Sequence, residues 1–200
     1  MASPYQYTFT VFTPTYNRAH TLNRVYISLQ EQTFRDFEWL IVDDGSSDHT
    51  SGLIKDWQNE AAFPIRCIRQ ENQGKPVAFN WGVQEARGEF FLLIDSDDGF
   101  VPETLERFKY YWEDIPGEER EKFVGVTGHC MDQGGKIVGD KFPSEGLDSD
   151  SLEIRYKFKI KGEKWGFLRT DVLRKYPFPV VQNSKFIPEG IIWSAIAKKY

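Results

Sequence analysis

Two hundred residues, 40% apolar and 28% charged, suit a single globular domain with a sizeable core. A net charge of −5 and a pI near 5.3 argue against a nucleic-acid partner held through its phosphates. Two cysteines make no disulfide framework; Cys67 (IRCIR) and Cys130 (VTGHC) read as buried free thiols in a reducing compartment. The amino terminus, MASPYQYTF, lacks the basic and long apolar segments of a signal peptide, and no apolar stretch approaches the ~18 residues of a membrane span. The expected location is the cytoplasm, with peripheral membrane association through a partner left open.

Tyr7–Thr13 (YTFTVFT) alternates and is rich in β-formers, so it reads as a first strand ended by Pro14-Thr15-Tyr16-Asn17-Arg18. Leu22, Val25, Tyr26 and Leu29 then fall on one helical face. Phe37–Val42 (FEWLIV) is a second strand, broken by Asp43-Asp44-Gly45-Ser46-Ser47-Asp48. Asp48 fits the N-cap of a helix that turns Leu53, Ile54 and Trp57 inward. Ile65–Ile68 is a short third strand, followed by Gln70-Glu71-Asn72-Gln73-Gly74-Lys75 and a helix opened by Pro76, with Val77, Ala78 and Trp81. Phe90–Ile94 runs unbroken and apolar into Asp95-Ser96-Asp97-Asp98, the signature of a strand buried on both faces. Pro102 starts a helix with Leu105, Phe108 and Trp112 on one side.

Four strand–helix units in succession predict an α/β fold with a mainly parallel central sheet flanked by helices. The second half predicts added antiparallel strands: Phe123–Met131, a turn at Gln133–Lys136, a return at Ile137–Phe142, and a further strand near Trp165–Leu168. Thr170–Tyr176 suits a short helix, and Pro188-Glu189 opens a last one with Trp193, Ile196 and Ala197 on one face. No repeat or linker divides residues 1–200. The chain ends at Tyr200 within that helical pattern, which fits a catalytic core cut short.

In open parallel sheets, ligands bind beyond the carboxyl ends of the strands. Here each of the four ends carries a polar cluster: PTYNR, DDGSSD, ENQGK and DSDD. Two bare carboxylates ~4 Å apart repel by ~4 kcal/mol at an effective dielectric near 20, so the acids after the fourth strand need a counterion. A divalent metal that also holds phosphates is the simplest one. Neither Gly-x-Gly-x-x-Gly nor Gly-x4-Gly-Lys-Ser/Thr is present, which disfavours dehydrogenase and P-loop chemistry. An EF-hand fails because Phe100 stands where its loop requires glycine.

In this order and spacing, the four clusters resemble family 2 glycosyltransferases, strongly over residues 7 to 115 and more loosely beyond. The resemblance implies the GT-A fold, with a nucleotide-sugar-binding half (about 7–115) and an acceptor-side half (about 120–200). It implies transfer of a sugar, with inversion, from a nucleotide-diphosphate donor such as a UDP-sugar to a carbohydrate or lipid-linked acceptor, in polysaccharide or glycoconjugate synthesis. Pro14, Thr15, Tyr16 and Asn17 fall in the segment that cups the base, and Asp43 or Asp44 on the acid that accepts a hydrogen bond from it. Asn72 and Lys75 lie in the donor-side loop. Asp95-Ser96-Asp97 matches the Asp-x-Asp motif, with Asp97 the first choice of ligand to Mn2+ or Mg2+ and Asp95 and Asp98 beside it. Glu189 falls on the base that takes the acceptor proton, although Pro188-Glu189 departs from the family's Glu-Asp pair.

Blander roles compete for several residues. Ser47 and Asp48 read as helix caps, and Trp165 and Trp193 as core or rim packing. The basic stretch 157–164 reads as a solvated face, and Arg18 serves a surface acid or a phosphate equally well. His20, His49 and His129 have no metal spacing. The alternatives for the whole chain are a donor-binding module without full transferase activity and a nucleotidyltransferase of related topology. A dehalogenase-type phosphatase would place its Asp-x-Asp after the first strand instead.

Overall fold

Alternation along YTFTVFTPT sends Phe9 and Val11 to one face of a sheet and Phe12 to the other, and this segment forms β1 (Tyr7–Thr15). The structure is a computed structural model that describes residues 3–181, 185 and 187–200. β2 (Phe37–Asp43) is buried at all seven positions, and β3 (Ile65–Arg69) and β4 (Gly88–Leu93) complete the parallel set. α1 (Asn23–Gln30), α2 (Thr50–Glu60) and α3 (Lys75–Glu85) connect them, and α4 (Thr104–Asp114) follows β4. β5 (Gly125–His129) and β6 (Lys164–Arg169) then join antiparallel, giving the sheet order β3-β2-β1-β4-β6-β5. α5 (Thr170–Leu173) and α6 (Gly190–Ile196) close the chain.

Each sheet face has its own core. α1, α2 and α4 bring Leu29, Trp57 and Trp112 onto the face that carries Phe9, Trp39, Phe90 and Phe167. α3, α5 and α6 bring Phe79, Leu173 and Ile192 onto the face that carries Phe12, Leu40 and Phe91. α3 approaches β1 so closely that a Cβ on Gly82 would stand 2.2 Å from the Phe12 ring. The buried face of α3 is Ala78, Phe79, Gly82 and Val83, whereas Trp81 is exposed.

Three expectations are corrected. Ile137–Phe142 is not a strand, and only an isolated bridge from Met131 to Ile137 survives of the hairpin. Gly135 and Gly139 take positive φ there, while β5 pairs with β6 over five residue positions instead. Cys67 is exposed on the edge strand β3, and Cys130 is half-buried. α2 starts at Thr50, not directly after Asp48, although Asp48 Oδ1 does accept the Thr50 N–H at 3.0 Å.

The opposite end of the sheet is fastened by Glu38, whose side chain is fully buried. It accepts hydrogen bonds from Thr10 Oγ1 (2.8 Å), the Arg87 N–H (2.8 Å) and Arg66 (3.0 Å), joining β1, β2, β3 and the turn before β4. Removing the carboxylate leaves the buried Thr10 hydroxyl without its acceptor and takes from Arg66 its buried counterion, while the Arg87 N–H keeps Thr10 Oγ1 at 3.1 Å and Arg66 keeps Glu85. Glu38→Ala is expected to lower stability by about 3 kcal/mol, read as a drop in the urea midpoint with an unchanged slope; an unshifted midpoint would show that the clamp contributes nothing.

Candidate active site

Strand order reverses between β1 and β4, because the chain builds β2 and β3 on one side of β1 and then crosses back. Such a switch point opens a crevice at the carboxyl ends of the strands. β1 extends to Thr15, which pairs with Asp43, and Asp43 pairs in turn with Arg69. β1 meets β4 only as far as Phe12, so Pro14 lies where that side of the strand is already free, a place proline tolerates.

The loops beyond these ends are laced together. Asn17 adopts φ 53°, a left-handed conformation that asparagine tolerates, and its Oδ1 accepts the backbone N–H of Ser47 at 2.8 Å. Its own N–H donates to Ser46 Oγ at 2.9 Å. Asp48 reaches back to the Ala19 N–H at 3.1 Å. Burial pushes the Asp48 carboxyl upward, but the bonds from Thr50 and Ala19 outweigh it and hold the group below its ordinary range. Asn17 is therefore a tie between loops, and its neighbour Tyr16, 48% exposed, faces outward.

Asp43 and Asp44 are both buried. Asp43 accepts from the Ser46 N–H (2.8 Å), Ser51 Oγ (3.2 Å) and Arg69 (3.0 Å). Asp44 accepts from Gln70 Nε2 (2.6 Å) and from the backbone N–H groups of Gln73 and Gly74, both at 2.8 Å. Each keeps one oxygen with a single partner. Next to them, Thr15 Oγ1 and Gln70 Oε1 are buried without a hydrogen-bond partner. An unmatched buried polar atom costs about 1–3 kcal/mol, so two of them flanking one pair of acids are a feature that a ligand or water would relieve. Gln70 stands one residue ahead of the ENQGK cluster, and no sequence signal sets it apart from the other polar residues of that loop.

The acid loop follows β4. Ser96 is buried, Asp95 is partly covered, and Asp97 and Asp98 are exposed. Burial, then the charges of Asp95, Asp97 and Glu163, push the Asp98 carboxyl above its ordinary range. Lys75, at the start of α3, donates to Asp95 Oδ1 at 2.7 Å and to Glu189 Oε1 at 2.8 Å. Burial alone would lower the Lys75 ammonium, but these two bonds raise it above its usual value. Three residues proposed from distant stretches thus meet at one nitrogen. Glu189 occupies the N-cap position of α6. Asn72 Oδ1 accepts from Lys185 in the segment that leads to it.

Hard carboxylate oxygens are the donor chemistry that Mg2+ and Mn2+ take. Among the described residues no group of three or more side chains is assembled to hold a metal, and neither Asp97 nor Asp98 forms an ion pair. The set fits a metal bound by one or two carboxylates, with the remaining positions left for phosphate and water. One open cleft is lined by Lys75, Asp95 and Glu189 and also by Trp193, Tyr200 and Lys164. Trp165 packs on Phe100 and Phe108 and so braces the acid loop from behind. Among the described residues no helix is long and apolar enough to cross a membrane.

The glycosyl transferase family 2 profile matches residues 10–166, the stretch that contains all four strand-end loops. The chain belongs to that family. This family 2 chain is 41% identical over 176 residues to an uncharacterized glycosyltransferase of Nostoc sp., covering 82% of this chain and 51% of the relative. It is 27% identical over 195 residues to the GalNAc(5)-diNAcBac-PP-undecaprenol beta-1,3-glucosyltransferase of Campylobacter jejuni, covering 94% and 59%. The family 2 chain therefore spans between half and three-fifths of the length of these relatives. Its fold is GT-A, similar to that of S. aureus TarS 1–349 in complex with UDP-GlcNAc, with TM-score 0.66 and 22% identity over 95% of this chain and 53% of that one.

The raised Asp98 carboxyl gives the family 2 site a measurable signature. A carboxyl whose folded pKa is raised stabilises the fold only while protonated, so its contribution is lost as pH rises through that value. In chelator-treated protein, Asp98→Asn should melt higher than the parent at pH 7, and the difference should vanish below the ordinary carboxyl value of 3.8. A lower melting temperature at pH 7 would contradict the crowding of these acids.

Proposed function

We propose that the chain transfers a sugar from a UDP-linked donor to a hydroxyl of a carbohydrate or lipid-linked acceptor, with inversion at the anomeric carbon. The observation that carries this reading is the shared ammonium of Lys75. It brings Asp95, at the donor end of β4, and Glu189, from the start of α6, within two hydrogen bonds of each other. A leaving-group site and a proton acceptor are the two parts that sugar transfer needs.

The geometry supports the following roles. Tyr16 offers an exposed ring for the base, and the single-partner oxygens of Asp43 and Asp44 can accept from its N–H groups. Thr15 Oγ1 and Gln70 Oε1 gain partners when the base enters. Asp97, with Asp95 or Asp98, would hold Mn2+ or Mg2+, which when bound stabilises charge on the departing diphosphate. The Glu189 carboxylate accepts the proton of the acceptor hydroxyl as its oxygen bonds to the anomeric carbon and the bond to the diphosphate breaks. The name of the C. jejuni relative includes a diphosphate-linked undecaprenol, which supports a lipid-linked acceptor and a place in glycoconjugate or polysaccharide synthesis. The cleft past Trp193 and Tyr200 is the path for that acceptor.

Calorimetry with UDP should detect binding that Mn2+ strengthens, and Asp97→Ala should weaken it by about tenfold or more, the loss of one charge-assisted ligand. An Mn2+-independent affinity that Asp97→Ala leaves unchanged would remove the metal assignment. Incubated with UDP-sugars, the protein should release UDP; release of pyrophosphate or inorganic phosphate would point to a different reaction. Glu189→Gln should lower kcat by about 10²–10⁴ with little change in donor KM, as expected for loss of a general base.

A further inference from the structure

Glu189 and Asp95 stand far apart in sequence, and a third residue, Lys75, joins them. Among the described residues, Lys75 is the one polar partner of the Glu189 carboxylate, and no ion pair ties Glu189 directly to the loop of Asp95–Asp98. Lys185, ahead of α6, is seated instead on the loop between β3 and α3. Lys185 donates to Asn72 Oδ1. Gly74, at φ +93°, lies so close that a Cβ would stand 2.5 Å from the Lys185 carbonyl oxygen. That loop is itself fixed, because Asp44 accepts the N–H groups of Gln73 and Gly74 just before Lys75.

We propose that Lys75 is a positioning residue for proton transfer, holding the Glu189 carboxylate against the donor end of β4 instead of serving chiefly as a ligand of the nucleotide. The proposal rests on Glu189 as the base. An ammonium has three hydrogens in tetrahedral directions, and two are fixed by carboxylates on different elements. This aims Glu189 toward the place where the sugar joins the diphosphate. Without the cation, two carboxylates would face each other across the crevice with nothing to hold them, and Glu189 would turn away into solvent. Lys75 belongs to the donor-side loop, and the two ion pairs give it a second and more demanding task.

The test uses the full chain with Mn2+ and follows hydrolysis of UDP-glucose and UDP-GlcNAc by water, read as UDP release, beside UDP affinity by calorimetry. Lys75→Met is expected to lower kcat by about a hundredfold, in the range of a lost general base, while UDP affinity falls by less than about fivefold. Lys75→Met combined with Glu189→Gln should be no slower than Glu189→Gln alone, since both remove the same step. Lys75→Arg, which keeps the charge and two donors, should recover about tenfold or more of the loss and guards against a folding defect in the methionine variant. The proposal is overturned if Lys75→Met weakens UDP binding while kcat stands, if the two losses multiply in the double variant, or if arginine recovers nothing. If Glu189→Gln itself leaves kcat unchanged, the base assignment fails and the proposal falls with it. UDP release by the parent then shows that cleavage of the donor's sugar–diphosphate bond, the part of the proposed function this assay reads, still stands.

Discussion

The buried carboxylate of Asp44 is the contact on which the rest of the site depends. It accepts two backbone N–H groups and one side-chain amide from the loop after β3, so a flexible Gly-containing connection becomes a fixed platform. From that platform Lys75 emerges at a defined height and meets Asp95 and Glu189. Hydrogen bonds to an ionised acceptor are the strong ones, and in a buried setting their loss would leave several groups unmatched together. One acid at the end of β2 thereby organises residues from three other elements.

The same logic explains why the neighbouring strand ends are so polar and yet so ordered. Asp43, Asn17 and Asp48 take up N–H groups that short loops leave unmatched, Asp43 within its own loop and Asn17 and Asp48 across loops. Two oxygens, on Thr15 and Gln70, remain without partners beside these satisfied groups. The acids after β4 stay crowded, with Asp98 raised by burial and by its neighbours. Stability is given up locally where a charged ligand would restore it, the usual arrangement at a functional site.

The four βα units were legible because buried parallel strands are unbroken apolar runs and their helices carry one-sided stripes. Phe90–Leu92, Leu29 and Trp57 all lie where those patterns predict. The second half was less legible because its pairing is not local. β6 enters the sheet between β4 and β5, contacts set by burial of Phe167 and not by the turn-like glycines at 134 and 135. Which face of α3 is buried was not legible either: Gly82 lets the helix press on Phe12, Phe79 packs inward and Trp81 stays exposed. At the site, the clusters showed which loops would meet, and the family resemblance brought in Glu189. No pattern announced that Lys75 would join Glu189 to Asp95, since that contact depends on where a distant segment docks.

The central claim is that four strand-end loops and the segment bearing Glu189 form one ligand site. Hydrogen exchange with and without UDP and Mn2+ measures this most directly. Protection should rise together in the loops after β1, β2, β3 and β4 and at the start of α6, with the β5–β6 edge unchanged. Protection confined to one loop, or absent from the start of α6, would contradict a site in which donor and base are held as a unit.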